Sequence, residues 1–318
     1  MISIIICFYN EIDYIRLALD SIFKQEYSDL DIILIDDNSK FESELIKIIQ
    51  EFQNLKIKYY RNDKNIGLAR SRNVGLKLAQ GEYISFLDSD DEYLPNKLST
   101  EHKIIKKNNH DVVYCKELIK KNNFYYYREA NRDFELSILL QDQFINLNTL
   151  LISKKFLDKF KIYFNDDELS RYGEDLEFLI KIRVCTSKIY FANEFLTISR
   201  RRPNNHRNYK MIWKEFEKLD SMFNEYLNSD MFFSYKEIIK IKITSIRFKK
   251  SISYILGGKK NSFLKDFKRN FITQPFKYKI ILSVLLLIPS ILSYFIFINI
   301  YLPIKNFNSY KKYKHNND

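Results

Sequence analysis

The first 110 residues alternate short apolar runs with amphipathic stretches, and this pattern restricts the fold more than any other feature of the chain. Four apolar runs predict strands at Ile2–Phe8, Asp31–Ile35, Ile57–Tyr60 and Tyr83–Leu87. Between them, apolar residues recur three and four positions apart, which predicts helices at Tyr14–Phe23, Glu42–Phe52 and Ala69–Ala79. Strands that alternate with helices form a mostly parallel sheet, so the sequence predicts an α/β fold.

Polar or acidic clusters follow three of these four strands. They are Tyr9-Asn10-Glu11 after the first strand, Asp36-Asp37-Asn38-Ser39 after the second and Asp88-Ser89-Asp90-Asp91 after the fourth. In open α/β sheets, ligands bind beyond the carboxyl ends of the strands. We therefore expect the three clusters to line one crevice.

The pattern after the fourth strand is mixed. Helices are predicted at Asn96–Lys107, near Phe134–Leu140, at Asp175–Val184 and over most of 211–250. Strands are predicted at Val112–Leu118, Phe124–Tyr127, Asn148–Ser153 and Ile189–Phe191. A basic loop at 200–207 follows the last strand, and Gly257-Gly258 marks a break before the tail.

The length of 318 residues suits one large core with a smaller appendage. Cys7, Cys115 and Cys185 are far apart and uneven in number, which favours a reducing compartment over a disulfide framework. The apolar N-terminus has neither a preceding basic stretch nor a small-residue cleavage site, so we interpret it as a buried strand rather than a signal peptide.

Positive charge is concentrated at the end of the chain. Residues 230–318 contain 17 Lys and Arg against 4 Asp and Glu, whereas the whole chain has a net charge of +12. Within this segment, Ile280–Pro303 is uncharged and long enough to cross a bilayer, with lysines on both sides. We expect an anionic membrane surface as its partner, through a spanning or interfacial helix, and no nucleic acid. A buried core helix is the alternative.

The cluster Asp88-Ser89-Asp90-Asp91 has the arrangement that a diphosphate-bound divalent cation needs. One or two carboxylates hold such a cation, and phosphate oxygens and water supply the other ligands. A DxD triplet alone is more often a helix cap or a solvated turn. The surrounding motifs therefore decide whether this triplet is interpreted as a metal site.

Four blocks in one order provide that context. The strings SIIICFYNE, DIILIDDNS, NDKNIGLARSRNVG and GEYISFLDSDDEYLPNKL resemble the nucleotide-sugar domain of family 2 glycosyltransferases, and GEDLEFLIKI at 173–182 resembles their ED motif. The resemblance implies a GT-A fold with a mostly parallel, Rossmann-like sheet. It also implies a metal-dependent, inverting transfer from a UDP-sugar, with Mn²⁺ or Mg²⁺ as cofactor and a glycan or glycolipid as acceptor.

The resemblance implies roles for individual residues. Asp36 is expected to accept a hydrogen bond from the uracil imide, while Asp37 caps the following turn. Asp90 is the expected metal ligand, with Asp88 as a second ligand or as a contact to the ribose or to a metal-bound water. The other donor-site residues implied in this way are Cys7, Tyr9, Asn65, Arg72 and His206. The chain departs from the family at Cys7, where proline is usual, and in its three arginines at 200–202.

Asp175 resembles the catalytic base, and Glu174 beside it is expected to position the acceptor or the aspartate. Taken alone, the pair also fits a charged first helical turn, which the helix dipole favours by ~0.3–1 kcal/mol. One displacement opposite the leaving group inverts the anomeric carbon.

Two other functions share parts of this pattern. A nicotinamide-dependent enzyme is excluded because CFYNEIDY lacks the glycines of a dinucleotide-binding turn. A catalytically inactive GT-A-like partner subunit of a polysaccharide-synthesis complex is the remaining alternative, and the presence of Asp88, Asp90 and Asp175 together argues against it.

We expect residues 1–210 to form the catalytic domain, with a nucleotide-sugar half at 1–110 and an acceptor half at 111–210. A helical basic extension at 211–256 and a membrane-associating segment at 257–318 follow. The expected location is the cytoplasmic face of the inner or plasma membrane, as a peripheral or single-pass protein. The sequence favours no oligomeric state.

Overall fold

The computed structural model describes residues 1–128, 134–141, 145–166, 173–201, 209–256 and 310–312. Its strands are β1 (Ile2–Phe8), β2 (Leu30–Asp36), β3 (Lys58–Arg61), β4 (Tyr83–Asp88), β5 (Glu92–Tyr93), β6 (Val112–Lys121), β7 (Phe124–Arg128), β8 (Leu150–Ser153), β9 (Ile189–Arg200) and β10 (Tyr310–Lys312). Its helices are α1 (Ile12–Phe23), α2 (Glu42–Glu51), α3 (Leu68–Leu78), α4 (Lys97–Asn108), α5 (Leu136–Gln141), α6 (Lys154–Phe160), α7 (Glu174–Cys185), α8 (Tyr209–Asn228) and α9 (Lys236–Leu256). Short 3-10 turns lie at Gln53–Leu55, Leu147–Thr149 and Asp230–Tyr235.

The first four strands form the parallel half of the sheet, as the sequence predicts. They lie in the order β4-β1-β2-β3, and β1 pairs in parallel with both β4 and β2. Alternate residues of β1 face two cores: Ile4 packs with α1 and α2, whereas Ile5 packs with α3. Helix α3 approaches closely because a Cβ at Gly75 would lie 2.4 Å from a methyl carbon of Ile5.

The second half of the sheet corrects the prediction of a mostly parallel sheet. β8 pairs antiparallel with both β4 and β6, and β6 pairs antiparallel with β7. Only Asn122 and Asn123 join β6 to β7, and a two-residue link can join only antiparallel neighbours. Asn122 has the positive φ, 54°, that such tight turns use. The sheet is therefore mixed.

Strand β9 is much longer than the predicted strand Ile189–Phe191. It pairs in parallel with β6 as far as Arg200, and antiparallel with β5 through Thr197 and Ile198. The exposed Asn193-Glu194 pair interrupts the apolar pattern, which hides the continuation of the strand in the sequence. Because β9 runs toward β5, the basic loop that starts at Arg200 begins beside the acidic loop after β4.

Helices α8 and α9 belong to the main core. Phe223 of α8 and Ile239 of α9 are fully buried, in the same apolar cluster as Phe178 and Leu179 of α7. The segment 211–256, predicted as an extension, thus covers one face of the sheet together with α5 and α7. Apolar residues spaced three and four positions apart predicted these helices, but this spacing does not show which surface the helices pack against.

Part of the tail joins the sheet, since β10 pairs antiparallel with β7 at its edge. The uncharged run Ile280–Pro303 lies outside the described residues. Across the ranges that the structure describes, no helix has both the length and the hydropathy needed to span a bilayer.

Candidate active site

The carboxyl ends of β1, β2 and β4 meet at one edge of the sheet, because these strands are parallel neighbours. Side chains connect the loops that follow them. The Asn10 amide oxygen accepts from the main-chain nitrogen of Lys40 at 2.9 Å, and the Ser89 hydroxyl donates to Glu11 at 2.6 Å. The predicted convergence of the three polar clusters is confirmed.

Asp36 is fully buried at the end of β2. One carboxylate oxygen accepts from the main-chain nitrogen of Ser39 at 2.7 Å. The other accepts from the Tyr59 hydroxyl at 2.9 Å and from the Arg61 guanidinium. Asp36 thus caps the turn after β2, the role that the sequence suggested for Asp37. A hydrogen bond from uracil to Asp36 stays a prediction. Both carboxylate oxygens of Asp36 already accept hydrogen bonds, so uracil must either share one of these oxygens or displace Tyr59 or Arg61.

Asp37 holds the loop that precedes α3. Its carboxylate accepts from the main-chain nitrogens of Ile66 and Gly67, each at 2.8 Å, and from the Asn62 amide at 2.9 Å. The Asn65 amide donates to the main-chain oxygen of Asp37 at 3.4 Å. Asn65 therefore lies on a loop fixed beside the end of β2, within the predicted donor region.

Cys7 and Tyr9 lie at the end of β1. Cys7 is the register partner of Asp88 on β4, and burial raises the pKa of its thiol to about 12, so the thiol is neutral. Tyr9 is 48% exposed. Cys7 therefore forms part of the crevice floor at the level of Asp88, and Tyr9 places an aromatic ring at the rim, where a base can stack.

The loop after β4 contains three aspartates in different environments. Asp88 and Asp90 are half-buried, whereas Asp91 is 5% exposed. Burial, and then the charges of Asp88 and Asp90, raise the pKa of Asp91 well above its ordinary range. The loop after β4 therefore holds two accessible carboxyl groups, those of Asp88 and Asp90, and a buried one, that of Asp91.

Asp91 belongs to a buried polar network that sequence reasoning missed. Its carboxylate accepts from the Asn148 amide and, at 2.9 Å, from the Ser199 hydroxyl. It also accepts from the main-chain nitrogen of Arg200 at 2.7 Å. The Ser199 hydroxyl also donates to Glu117, and burial raises the pKa of Glu117. The sequence signal that could have revealed this network is the presence of polar residues in largely apolar strands, Glu117 in β6 and Ser199 in β9.

Glu174 and Asp175 form the first turn of α7. Gly173 precedes them with φ 72°, and a Cβ there would lie 2.9 Å from the Leu219 side chain, so glycine lets this turn pack against α8. The Glu174 side chain is 12% exposed. Burial, and then the charge of Asp175, raise the pKa of Glu174 to about 7. A carboxyl group that titrates near neutrality is suited to hold or accept a proton.

Arg72 of α3 connects α7 with the loop after β4. Its Nη1 donates to Asp175 Oδ1 at 2.5 Å, and its Nη2 donates to Asp88 Oδ1 at 3.0 Å. The Glu174 carboxylate lies 3.9 Å from the same Nη1. The structure thus brings together four residues that the sequence assigns to the site from three distant segments.

The basic loop that starts at Arg200 begins beside the acidic loop after β4. The guanidinium of Arg200 pairs with Glu92 and lies 5.7 Å from the centre of the Tyr14 ring. His206 lies outside the described residues, so its expected place in the donor site stays a prediction.

The residues after β4 fit a divalent cation that is shared with a ligand. Within the described ranges, no group of three or more His, Cys, Asp or Glu side chains is arranged to hold a metal ion alone. Asp88 and Asp90 are half-buried carboxylates two positions apart, and carboxylate oxygens suit Mg²⁺ or Mn²⁺ that also binds phosphate oxygens and water. One oxygen of Asp88, Oδ1, is also held by Arg72.

The chain matches the family model described as glycosyl transferase family 2 over residues 3–170. It is 32% identical over 279 residues to an uncharacterized glycosyltransferase of Rickettsia typhi, an alignment that covers 84% of this chain and 83% of that protein. The chain therefore belongs to the family 2 glycosyltransferases.

A further relative has a defined activity. It is WfgD of Escherichia coli, a UDP-Glc:alpha-D-GlcNAc-diphosphoundecaprenol beta-1,3-glucosyltransferase. The chain is 32% identical to WfgD over 165 residues, and this alignment covers 52% of this chain and 64% of WfgD.

Two solved structures share the fold. S. aureus TarS 1–349 in complex with UDP-GlcNAc has a TM-score of 0.61 at 18% identity, with 86% of this chain and 93% of that chain covered. The chain spans 54% of a longer TarS structure. The mannosyltransferase PcManGT from Pyrobaculum calidifontis, in complex with GDP-Man and Mn²⁺, has a TM-score of 0.57 at 15% identity, with 89% of this chain and 78% of that chain covered. These likenesses establish a GT-A-like fold with a mixed sheet.

Proposed function

We propose that the protein is an inverting glycosyltransferase that moves a sugar from a UDP-sugar to a glycan or lipid-linked acceptor in cell-surface polysaccharide synthesis. The supporting observation is that Arg72 contacts both Asp88 of the DxD motif and Asp175 of the ED motif. Asp88, a carboxylate on the donor side, and Asp175, the candidate base, are thus bound by different nitrogens of the Arg72 guanidinium. The inactive-subunit alternative has no need of this arrangement.

A UDP donor is favoured by the relatives and by the crevice. WfgD is named for UDP-Glc, and TarS was solved with UDP-GlcNAc. In this chain, the exposed ring of Tyr9 and the loop that holds Asn65 flank the ends of β1 and β2. We place the nucleoside there, and the diphosphate toward Asp88 and Asp90.

We place a divalent cation, Mn²⁺ or Mg²⁺, at Asp90, with Asp88 as a second ligand. Such a cation supplies positive charge to the leaving diphosphate. PcManGT, a fold neighbour, was solved with Mn²⁺. Because the described residues offer no third protein ligand group, the cation depends on phosphate oxygens, and we expect nucleotide and cation to bind together.

Asp175 is proposed to act as the base. Its carboxylate takes the proton of the acceptor hydroxyl while that oxygen attacks the anomeric carbon, and the bond from this carbon to the diphosphate oxygen breaks. Attack opposite the leaving group inverts the configuration, so an α-linked UDP-sugar yields a β-glycoside. Glu174, with its pKa raised by burial to about 7, is proposed to bind the acceptor beside Asp175.

The acceptor is proposed to be carried on a lipid at the cytoplasmic face of the membrane. The support is the uncharged run Ile280–Pro303 between two lysine-rich segments. WfgD, by its name, acts on a diphosphoundecaprenol-linked sugar. The same resemblances support our proposal of hexosyl or N-acetylhexosaminyl transfer.

A donor screen tests the proposal. The full chain is incubated with a panel of UDP-sugars and Mn²⁺, with and without lipid-linked acceptors, and the released UDP is measured. We expect one donor to give release that an acceptor accelerates, and the anomeric configuration of the product to be inverted by NMR. Asp158→Ala, which changes an exposed acid on α6, is the matched control and should behave as wild type. A wild type that binds UDP but releases none above the Asp175→Asn background would favour the inactive-subunit alternative.

A further inference from the structure

Arg72 is a buried cation enclosed by acids. Its side chain is 3% exposed, yet both terminal nitrogens contact carboxylates, at 2.5 Å to Asp175 and 3.0 Å to Asp88. Burial opposes the charged form, but Asp175, Asp88 and Glu174 together raise the pKa of Arg72 above its ordinary value. The guanidinium therefore stays charged, and its planar shape can hold two carboxylates at a defined separation.

The guanidinium lies against a group of aromatic rings, the aromatic platform of Phe86, Phe164 and Phe178. Its central carbon is 5.3 Å from the centre of the Phe164 ring. That ring stacks on Phe178 of α7, with centroids 4.1 Å apart, and meets Phe86 of β4 edge-on at 5.6 Å. The platform thus includes residues of both elements that Arg72 connects, β4 and α7.

The residue next to Arg72 fixes the platform to α3. The Asn73 amide nitrogen donates to the main-chain oxygen of Phe164, and the main-chain nitrogen of Phe164 donates to the Asn73 oxygen, each at 2.9 Å. Two reciprocal hydrogen bonds hold Phe164 in one position relative to α3. Arg72 and its supporting ring are therefore set by a single helix.

We propose that Arg72 is a positioning residue that holds the base Asp175 at a fixed place relative to the metal carboxylate Asp88. This inference rests on the proposed function, and it gives Arg72 a role other than the donor binding that the family resemblance implies. Its consequence is that the acceptor oxygen, the anomeric carbon and the leaving group are aligned through one protein side chain. A lysine keeps the charge but has a single nitrogen, so it cannot hold both carboxylates in this geometry.

Arg72→Lys tests the proposal by separating binding from chemistry. Misplacement of a catalytic group by about 1 Å can cost about 100-fold in rate, so we expect kcat to fall about 100-fold while the donor KM is unchanged. Calorimetric titration with UDP and Mn²⁺ should give an affinity within about threefold of wild type. Arg16→Lys, which alters an exposed ion pair with Glu51, is the matched control and should keep wild-type values.

A second variant guards against loss of folding in Arg72→Lys. Phe164→Leu keeps every charge and removes the ring beneath the guanidinium, and we expect about a tenfold fall in kcat at unchanged donor KM and UDP affinity. A loss of UDP affinity in Arg72→Lys that accounts for the lost kcat/KM would make Arg72 a donor ligand and overturn the proposal. Wild-type kcat in either variant would also overturn it. A wild type that turns over no UDP-sugar would instead refute the proposed function, and this inference with it.

Discussion

Lys97 and Glu101, one turn apart on α4, form an ion pair of 2.6 Å in which both side chains are fully buried. The ammonium of Lys97 also lies 3.3 Å from the hydroxyl of Ser85 on β4 and 4.5 Å from the centre of the Tyr93 ring. Burial raises the pKa of Glu101 to about 7, although Lys97 opposes this effect. A charged pair thus supports the strand that ends at Asp88.

Removal of one partner of this pair should be strongly destabilising. Lys97→Met leaves the Glu101 carboxyl buried without its cation, and breaking such a pair typically costs about 3–5 kcal/mol. The double variant Lys97→Met/Glu101→Leu should recover most of that loss, because no charge is left in the core. Urea denaturation measures both. A double variant no more stable than Lys97→Met would show that the pair is not coupled.

Glu174→Gln should be more stable than wild type at pH 8. Burial and Asp175 raise the pKa of Glu174 from 4.5 to about 7, so the folded state holds this proton more tightly than the unfolded state. Stability is therefore lost as pH rises from about 4.5 to about 7, and it stays lost above that range. Glutamine avoids this loss, which is about 3 kcal/mol.

The measurement for Glu174→Gln is the unfolding midpoint in urea at pH 4 and pH 8. The difference from wild type should be largest at pH 8 and should vanish at pH 4, where both folded and unfolded wild type are protonated. Glu44→Gln on the exposed face of α2 serves as the control. A pH-independent difference would assign the effect to packing instead.

Asp90→Ala should abolish turnover that depends on Mn²⁺ or Mg²⁺ while the protein stays folded. Because no third protein ligand group lies among the described residues, wild type should bind Mn²⁺ weakly alone and much more tightly in the presence of UDP. Titration calorimetry with and without UDP measures this coupling, and circular dichroism verifies the fold. Full activity of Asp90→Ala, or of wild type in excess chelator, would contradict metal dependence.

Asp175→Asn should lower transfer by about 10²–10⁴-fold and leave UDP affinity nearly intact, because a general base acts in the transition state. Asparagine can still accept the hydrogen bond that Arg72 donates to this position. Steady-state kinetics and UDP titration on the same samples provide the comparison. If UDP binding is lost while the rate per bound donor is unchanged, Asp175 has a structural role.

Truncation after Leu256 should release the protein from membranes and preserve UDP binding, because every donor-site residue that the structure describes precedes that point. The removed lysines and arginines should each favour an anionic surface by ~1 kcal/mol. Truncation also removes β10 from the edge of β7, so the variant Leu286→Asp/Ile296→Asp tests the apolar run with β10 retained.

Membrane fractionation distinguishes the outcomes. If the wild type stays in the supernatant without detergent, or if the truncated chain stays in the membrane pellet, the apolar run Ile280–Pro303 does not anchor the protein.

The positions of the first four strands and their helices could be predicted closely, because each element carries its own periodicity. The register of Ile2–Phe8 against its neighbours places Cys7 opposite Asp88, as parallel strands with aligned carboxyl ends require. The directions of β6, β7 and β8 could not be predicted, since an apolar run has the same pattern in either direction. Strand β9 was underestimated because Asn193 and Glu194 interrupt its pattern.

The sequence by itself determined the motifs and their order, which is typical of family 2 glycosyltransferases: acids at strand ends and an acidic pair at a helix start. These signals are local, so they survive without knowledge of packing. Only the tertiary structure decided that Asp36 rather than Asp37 caps the turn after β2, that Asp91 anchors Arg200, and that Arg72 lies between Asp88 and Asp175. Such contacts join residues up to 109 positions apart, and their geometry depends on how closely the helices pack against the sheet.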